Sequence, residues 1–427
     1  MKLKIYLYLL RRNISAFFIK IFVRFKFNFL IALILLLNLR KMKKIQTNNI
    51  KKKVIVFSKS GGIEDINYAY LSNNSQNNVA FYELSRGLLK EIFKYFIKDG
   101  EFRDYYTIDY SEKIKFRKNE YKKFIFKVFK NLNVLWKFDA CISFNLFYYA
   151  ENDLPELFQK LKKKFIVIHK ESVNSLEESF INFEIYSKMN KKFFGDKVAV
   201  YSENEKQLLL DSNILQKDQV EVTGCSRTDY SYNLRDYTPS QNEIVYFMMT
   251  NMRHSNEMSS TGRLVDWSEL IKKTNDYIKE LAQKNPNLKI IFKGKKNVHT
   301  YDDFPKDLPD NCSYSNSNPG DKFLKNANIV IAFNSTIVFE AILANRNVII
   351  PVFDIDEEIV KKYIYKSPSN VFTNTKKKFF DKVDEYVKIK YSQKTMTNEE
   401  KESVQFYLGN SDGKSGQRLR NLIDTNI

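Results

Sequence analysis

Ser335, Thr336 and Glu340 sit in the stretch NIVIAFNSTIVFEAILANRNVIIP, residues 328–351, at a spacing that suits a phosphorylated ligand. Hydroxyl and backbone N–H groups at a helix start attract an anion such as a diphosphate. A carboxylate one helical turn further on can accept hydrogen bonds from ribose hydroxyls. An ordinary capped crossover helix has the same appearance. Glu340 lies between Phe339 and Ala341 in an apolar segment, and a buried acid needs partners. A ligand role therefore competes there with that of a solvated helix carboxylate. Lys293 closes the apolar run LKIIFK, at the carboxyl end of an expected strand. Arg227, in GCSRTD, can fork onto a phosphate or pair with Asp229. Arg253 and His254 follow the run EIVYFMMT. His169 and Glu171, in FIVIHKES, follow another such run, and His169 also fits a core histidine.

Other chemistries find no support. The three histidines, His169, His254 and His299, form no HExxH. The three cysteines, Cys141, Cys225 and Cys312, are far apart and make no CxxC, which excludes a disulfide framework or zinc ribbon and fits a reducing cytoplasm. Asp354-Ile355-Asp356 is a DxD, but such tripeptides arise often by chance. No metal and no cofactor are expected.

The elements that would position these groups alternate. Short apolar runs at 53–57, 138–144, 165–169, 197–201 and 219–223 read as strands with helical segments between them. A second series follows the polar segment 235–242 (RDYTPSQN): strands at 243–250, 288–293, 311–315, 329–333 and 348–350, with a helix at 265–284. Asn334, Ser335 and Thr336 offer an N-cap and Asn345 a C-cap for the helix between the last two strands. Residues 78–98 read as one helix with Phe81, Leu84, Leu88, Ile92 and Phe96 on a face. Gly61-Gly62 after the first strand is a turn or a place for close backbone approach. Strands alternating with helices imply parallel sheets covered on both faces, with ligands beyond the carboxyl ends of the strands. At 427 residues two domains are the default. The expected division is a basic segment 1–50, an acceptor domain 51–236, a donor domain 243–395 and a C-terminal helix 396–427.

The formal charge of +20 suggests nucleic acid until it is located. Residues 1–53 hold fourteen Lys/Arg and no acid, leaving +6 for the rest, so no nucleic-acid partner is expected. Within that head, residues 27–39 (FNFLIALILLLNL) are apolar, which is short against the ~20 residues of a spanning helix. No small-residue cleavage site follows, which argues against a cleaved signal. The pattern suits a basic amphipathic helix on an anionic membrane surface. A tilted single span and a helix packed on the first domain are the alternatives.

Three stretches carry a family resemblance. VAVYSENEKQLLLDSNILQKDQVEVTGCSRTDY (198–230) looks like a strand–Ser–helix–strand pattern ending in a vTGxxRxD turn. IVIAFNSTIVFEAILANRNVIIP (329–351) is similar to an STxxxEA donor helix, and FIVIHKES (165–172) is a weaker match. Together they resemble glycosyltransferases with two Rossmann-like domains facing across a cleft, the GT-B fold, especially those of bacterial surface and capsular polysaccharide biosynthesis. The resemblance implies a metal-independent transfer from a nucleotide-activated sugar to a glycan or lipid-linked acceptor, at the cytoplasmic face of the inner membrane. It puts Ser335, Thr336, Glu340, Arg227, Lys293 and Arg253 on the donor and Glu171, with His169 behind it, as the base. The family's KxHP is KGKKNVH here, which unsettles Lys293 and His299. Stereochemistry stays open. Alternatives are a CDP-polyol phosphotransferase of the teichoic-acid type, a nucleotide-sugar 2-epimerase, and a non-catalytic membrane-bound scaffold.

Overall fold

The computed structural model describes residues 2–43, 45, 50–71, 77–98, 112–170, 173–189, 191–249, 267–295, 307–389 and 395–427. The chain divides into two compact units. One comprises residues 1–172, 183–226 and 416–427, the other 173–182 and 227–415. The chain therefore changes unit near residue 226, ahead of the polar segment 235–242. It returns to the first unit for its last twelve residues, so residues 396–427 do not form one closing helix.

The first unit contains α1 (Lys2–Arg24), α2 (Asn28–Asn38), β1 (Arg40–Lys41), β2 (Lys52–Ser58), α3 (Ser60–Leu71), β3 (Val79–Ser85), α4 (Arg86–Phe96), α5 (Glu112–Leu135), β4 (Ala140–Ser143), α6 (Leu154–Lys160), β5 (Lys164–His169), the latter part of α7 (Leu176–Met189), β6 (Lys197–Val200), α8 (Glu203–Asp211) and β7 (Val220–Val222). Its sheet has the order β1-β3-β2-β4-β5-β6-β7, parallel except at β1. On β2, Val54 and Val56 face one core while Ile55 and Phe57 face the other, as the period of two requires. Both faces are covered, which is why the strands read as continuous apolar runs.

Residues 78–98 are not one helix. VAFYELS is a strand paired in register with all of β2, and the helix begins only at Arg86. The apolar spacing that suggested a helix is satisfied differently, with Phe81 and Leu84 buried on opposite faces of the sheet. The head is a helical hairpin packed on the first unit, the alternative that the basic pattern had ranked behind a free amphipathic helix. Lys26 takes a left-handed turn (φ 56°) between α1 and α2. Ile19 and Val23 of α1 and Ile31, Ala32 and Leu35 of α2 enter the core beside α4 and α5. No helix among the described residues is long and apolar enough to cross a membrane. The eleven residues of α2 reach about 16 Å, roughly half a bilayer core.

The second unit contains the first part of α7, then α9 (Asp229–Asn233), β8 (Glu243–Phe247), α10 (Trp267–Lys284), β9 (Lys289–Lys293), β10 (Cys312–Ser315), β11 (Ile329–Ile331), α11 (Ile337–Leu343), β12 (Asn347–Pro351), α12 (Glu357–Tyr363), β13 (Phe372–Thr373), α13 (Lys376–Lys388) and α14 (Asn398–Leu408). Its six strands are all parallel, in the order β10-β9-β8-β11-β12-β13. Counted within the unit this is 3-2-1-4-5-6, the Rossmann order. The last helix, α15 (Ser415–Asn426), packs Leu419, Leu422 and Ile423 into the first unit's second core.

Candidate active site

A doubly wound sheet opens for ligands where its strand order reverses, outside the carboxyl ends. In the second unit that point lies between β8 and β11. β8 ends at Phe247, β9 beside it ends at Lys293, and β11 leads through 332–336 into α11. Gly320, which opens a short 3-10 turn reaching Phe323, closes the group. A Cβ on Gly320 would lie 3.0 Å from the Phe247 ring and 3.4 Å from the Ile337 side chain, so the turn packs closely on the strand end and the helix start.

Lys293 is 5% exposed. Its ammonium donates to the carbonyl of Gly294 and stands 5.3 Å from the centre of the Phe323 ring. Among the described residues no carboxylate pairs with it. Burial holds its pKa below the usual lysine value, because a low-polarity site disfavours the charged form. A bound anion would reverse that effect.

The turn into α11 differs in detail from the expected cap. Asn334 takes the left-handed conformation (φ 42°), and its Oδ1 accepts from the backbone N–H of Tyr365 at 2.9 Å. Thr336 occupies the cap position without a side-chain cap bond; its hydroxyl instead donates to Glu340 Oε1 at 3.4 Å. The other six residues of α11 are buried, and Glu340 alone is half-exposed, as are Ser335 and Thr336. The polar side chains of this turn thus keep a solvent opening on a helix otherwise enclosed in the unit. Beyond the helix, Asn345 (φ 59°) follows the C-cap Ala344.

In the first unit, His169 is fully buried at the end of β5. Its Nδ1 accepts from the backbone N–H of Leu146 (3.4 Å), and its Nε2 lies 3.2 Å from Glu205 Oε1. It is a core imidazole with an acid beside it, not a base turned to solvent. Glu171, Arg253, His254 and His299 lie outside the described residues. Arg227 is half-buried at the start of a segment of the second unit. In the same unit Asp229 Oδ1 accepts from Asn410 Nδ2 (2.7 Å) and from the N–H of Ser415 (3.1 Å). Gly61-Gly62 is not an open turn: both lie in α3, and a Cβ on Gly62 would meet the Phe144 ring at 2.1 Å. Asp354 pairs with Lys273, and Asp356 caps α12. No group of three His, Cys, Asp or Glu among the described residues could hold a metal.

Sequence reasoning placed a short helix at 321–326 but gave the Gly320–Phe323 turn no part in the site, although Pro319-Gly320 is a turn signal. It also missed Arg346, fully buried in the second unit. Arg346 donates to the carbonyls of Leu324 (2.7 Å), Leu234 (3.1 Å), Tyr237 (3.1 Å) and Lys325 (3.2 Å). It thereby locks the polar segment expected to be a linker onto the sheet-flanking layer. The signal was a cation just past a helix end.

No family model matches the chain, and no curated protein matches it in sequence. Solved structures match its fold. UDP-GlcNAc 2-epimerase from Methanocaldococcus jannaschii superposes with a TM-score of 0.51 at 14% identity, over 87% of this chain and 99% of that one. A Listeria monocytogenes protein solved as a UDP-N-acetylglucosamine 2-epimerase gives 0.51 at 11% identity, over 88% and 96%. At such identities the likeness establishes architecture: the chain has the fold of two Rossmann-like units, the GT-B type.

Proposed function

We propose that this protein is an enzyme acting on a nucleotide-activated sugar: a membrane-associated glycosyltransferase of surface (capsule- or lipopolysaccharide-like) polysaccharide biosynthesis. The observation that carries the reading is Lys293, a buried cation with no carboxylate partner among the described residues, one strand from the switch point of a Rossmann-ordered sheet. In this reading Lys293 takes the charge that develops on the leaving diphosphate. The Ser335 and Thr336 hydroxyls bond the phosphates and Glu340 accepts from the ribose, with Arg227 and Arg253 as further phosphate contacts. Glu171 takes the proton of the acceptor hydroxyl as its oxygen bonds the sugar C1. The C1–O bond to the diphosphate breaks, and its electron pair leaves with the nucleotide. No metal enters the scheme. The acceptor is a glycan or lipid-linked saccharide.

The α1–α2 hairpin supplies the anchor at the cytoplasmic face of the inner membrane. Away from its packed face it exposes Phe17, Phe25, Phe27, Phe29, Leu33 and Leu37, among basic residues such as Arg24 and Lys26. Apolar side chains flanked by cations suit an interface with anionic lipid.

A second reading, nucleotide-sugar 2-epimerase, is favoured by the two fold matches. Two measurements separate these ideas. A panel of UDP, CDP, GDP and CMP followed by thermal shift should show stabilisation by one nucleoside diphosphate, and no shift with any of them would sink both enzyme readings. NMR of the matching nucleotide sugar then decides: inversion at C2 without an acceptor means epimerase, whereas acceptor-dependent release of the nucleotide means transferase.

A further inference from the structure

In the helical layer of the first unit, a cavity of about 360 Å³ lies between α5, the start of α6 and the loop entering β6. Phe147, Phe193 and Ile214 give it apolar walls. Four lysines line it, Lys118 and Lys122 from α5 and Lys191 and Lys192 from the loop, against two acids, Asp153 and Glu156. Lys122 pairs with Glu156 (2.9 Å) and reaches Asp153 Oδ1 (3.4 Å), as does Lys118 (3.5 Å). Lys192 donates to the Asn213 carbonyl. Lys191 donates to the Asn152 carbonyl at 3.3 Å, and no carboxylate among the described residues lies within ion-pair distance of it. Burial first, and Lys118 and Lys122 in addition, push its ammonium down to about 7 against the pull of Asp153.

Two further atoms need a partner. Asn152 and Asp153 belong to the cavity's lining residues, and their Oδ1 and Oδ2 are buried acceptors with no hydrogen-bond donor among the described residues. Such atoms cost free energy unless something donates to them. Surplus cations call for an anion, and orphaned acceptors call for hydroxyl donors on the same ligand. We propose that this cavity binds a phosphorylated sugar or polyol, with its phosphate among Lys191, Lys118 and Lys122 and its hydroxyls donating to Asn152 and Asp153. The site belongs to a different unit from Lys293 and Glu340 and does not rest on the donor assignment.

The test uses the full-length protein and calorimetric titration with glucose 1-phosphate, glycerol 3-phosphate, inorganic phosphate and glucose. Glucose 1-phosphate should bind at least tenfold tighter than inorganic phosphate or glucose. Lys191→Met should weaken it at least tenfold without lowering the melting temperature, because it removes a desolvated charge. Should Lys191→Met fail to fold, Lys122→Gln carries the same expectation. Flotation with vesicles of phosphatidylinositol or, at equal charge, phosphatidylserine locates the source. A phosphatidylinositol preference that Lys191→Met abolishes assigns the site to a lipid headgroup, and its absence alongside glucose 1-phosphate binding assigns it to a free phosphoester. Absence of both, equal affinity for inorganic phosphate, or affinity unchanged in the lysine variants would overturn the proposal.

Discussion

At Lys293 one side chain couples stability to ligand. Folding lowers its pKa, so the unfolded chain holds this proton more tightly than the native state does. The native state is therefore penalised while both forms are charged, and the penalty fades as pH rises through the depressed value toward the ordinary 10.5. Lys293→Met should raise the melting temperature at pH 7, narrow the gap between pH 7 and pH 9.5, and remove nucleotide stabilisation. Melting curves at the two pH values, with and without the best nucleotide, measure all three. Glu340→Ala makes a cleaner probe, since the residue is the half-exposed position of α11. It should cost about 0.5 kcal/mol or less of stability, as surface changes usually do, while nucleotide affinity falls at least tenfold. Unchanged affinity would show that the donor site lies elsewhere.

At the scale of elements, two contacts hold the parts in place. Gly62 lets α3 lie against the Phe144 ring. Gly62→Ala should cost about 1–3 kcal/mol by overpacking, and Phe144→Leu should recover part of it. Urea unfolding of the two single variants and the double variant tests this, and strict additivity would deny the contact. Arg346 satisfies four carbonyls at helix and turn ends of the second unit. Arg346→Met removes these donors, of which the Leu324 carbonyl's is a buried one, and should cost about 1–3 kcal/mol, as for an unsatisfied buried group. α15 completes the first unit in a similar way. Arg418 donates to the Thr223 carbonyl, and Tyr70 donates to Asp424 Oδ1 at 2.6 Å. Burial, and Asp424 next to it, hold that phenol well above its ordinary range.

At the scale of the whole molecule, the packed face of the hairpin decides how an anchor can be tested. Deleting residues 1–45 would uncover α4 and α5, since Ile19, Val23, Ile31 and Leu35 belong to the core. Substitution of the outer face avoids this. Phe17, Phe25 and Phe29 are 60%, 64% and 50% exposed, and complete burial of a large apolar side chain is worth about 1.5–3 kcal/mol. Changing all three to Ser should lower partitioning onto anionic vesicles at least tenfold while leaving the melting temperature and nucleotide response intact. Sedimentation with vesicles gives the answer. Undiminished binding would detach the hairpin from any membrane role.

Much of this architecture was legible from local order. The inner strands β2, β4, β5, β6, β8, β9, β11 and β12 appear as short apolar runs because a parallel strand covered on both faces must be apolar throughout, and the alternation with helices implied parallel pairing. The polar turn of Ser335, Thr336 and Glu340 was visible because it interrupts such a run. Sequence could not settle what depends on partners far along the chain. VAFYELS carries apolar spacing compatible with a helix, and only its pairing with β2 made it a strand. The exchange of chain between units, the return of α15, the close approach of Gly320 to Phe247 and the placing of Lys191 near Asp153 arise from contacts between remote segments. Residue types constrain local conformation, whereas burial and charge pairing are set only when the whole chain has closed around them.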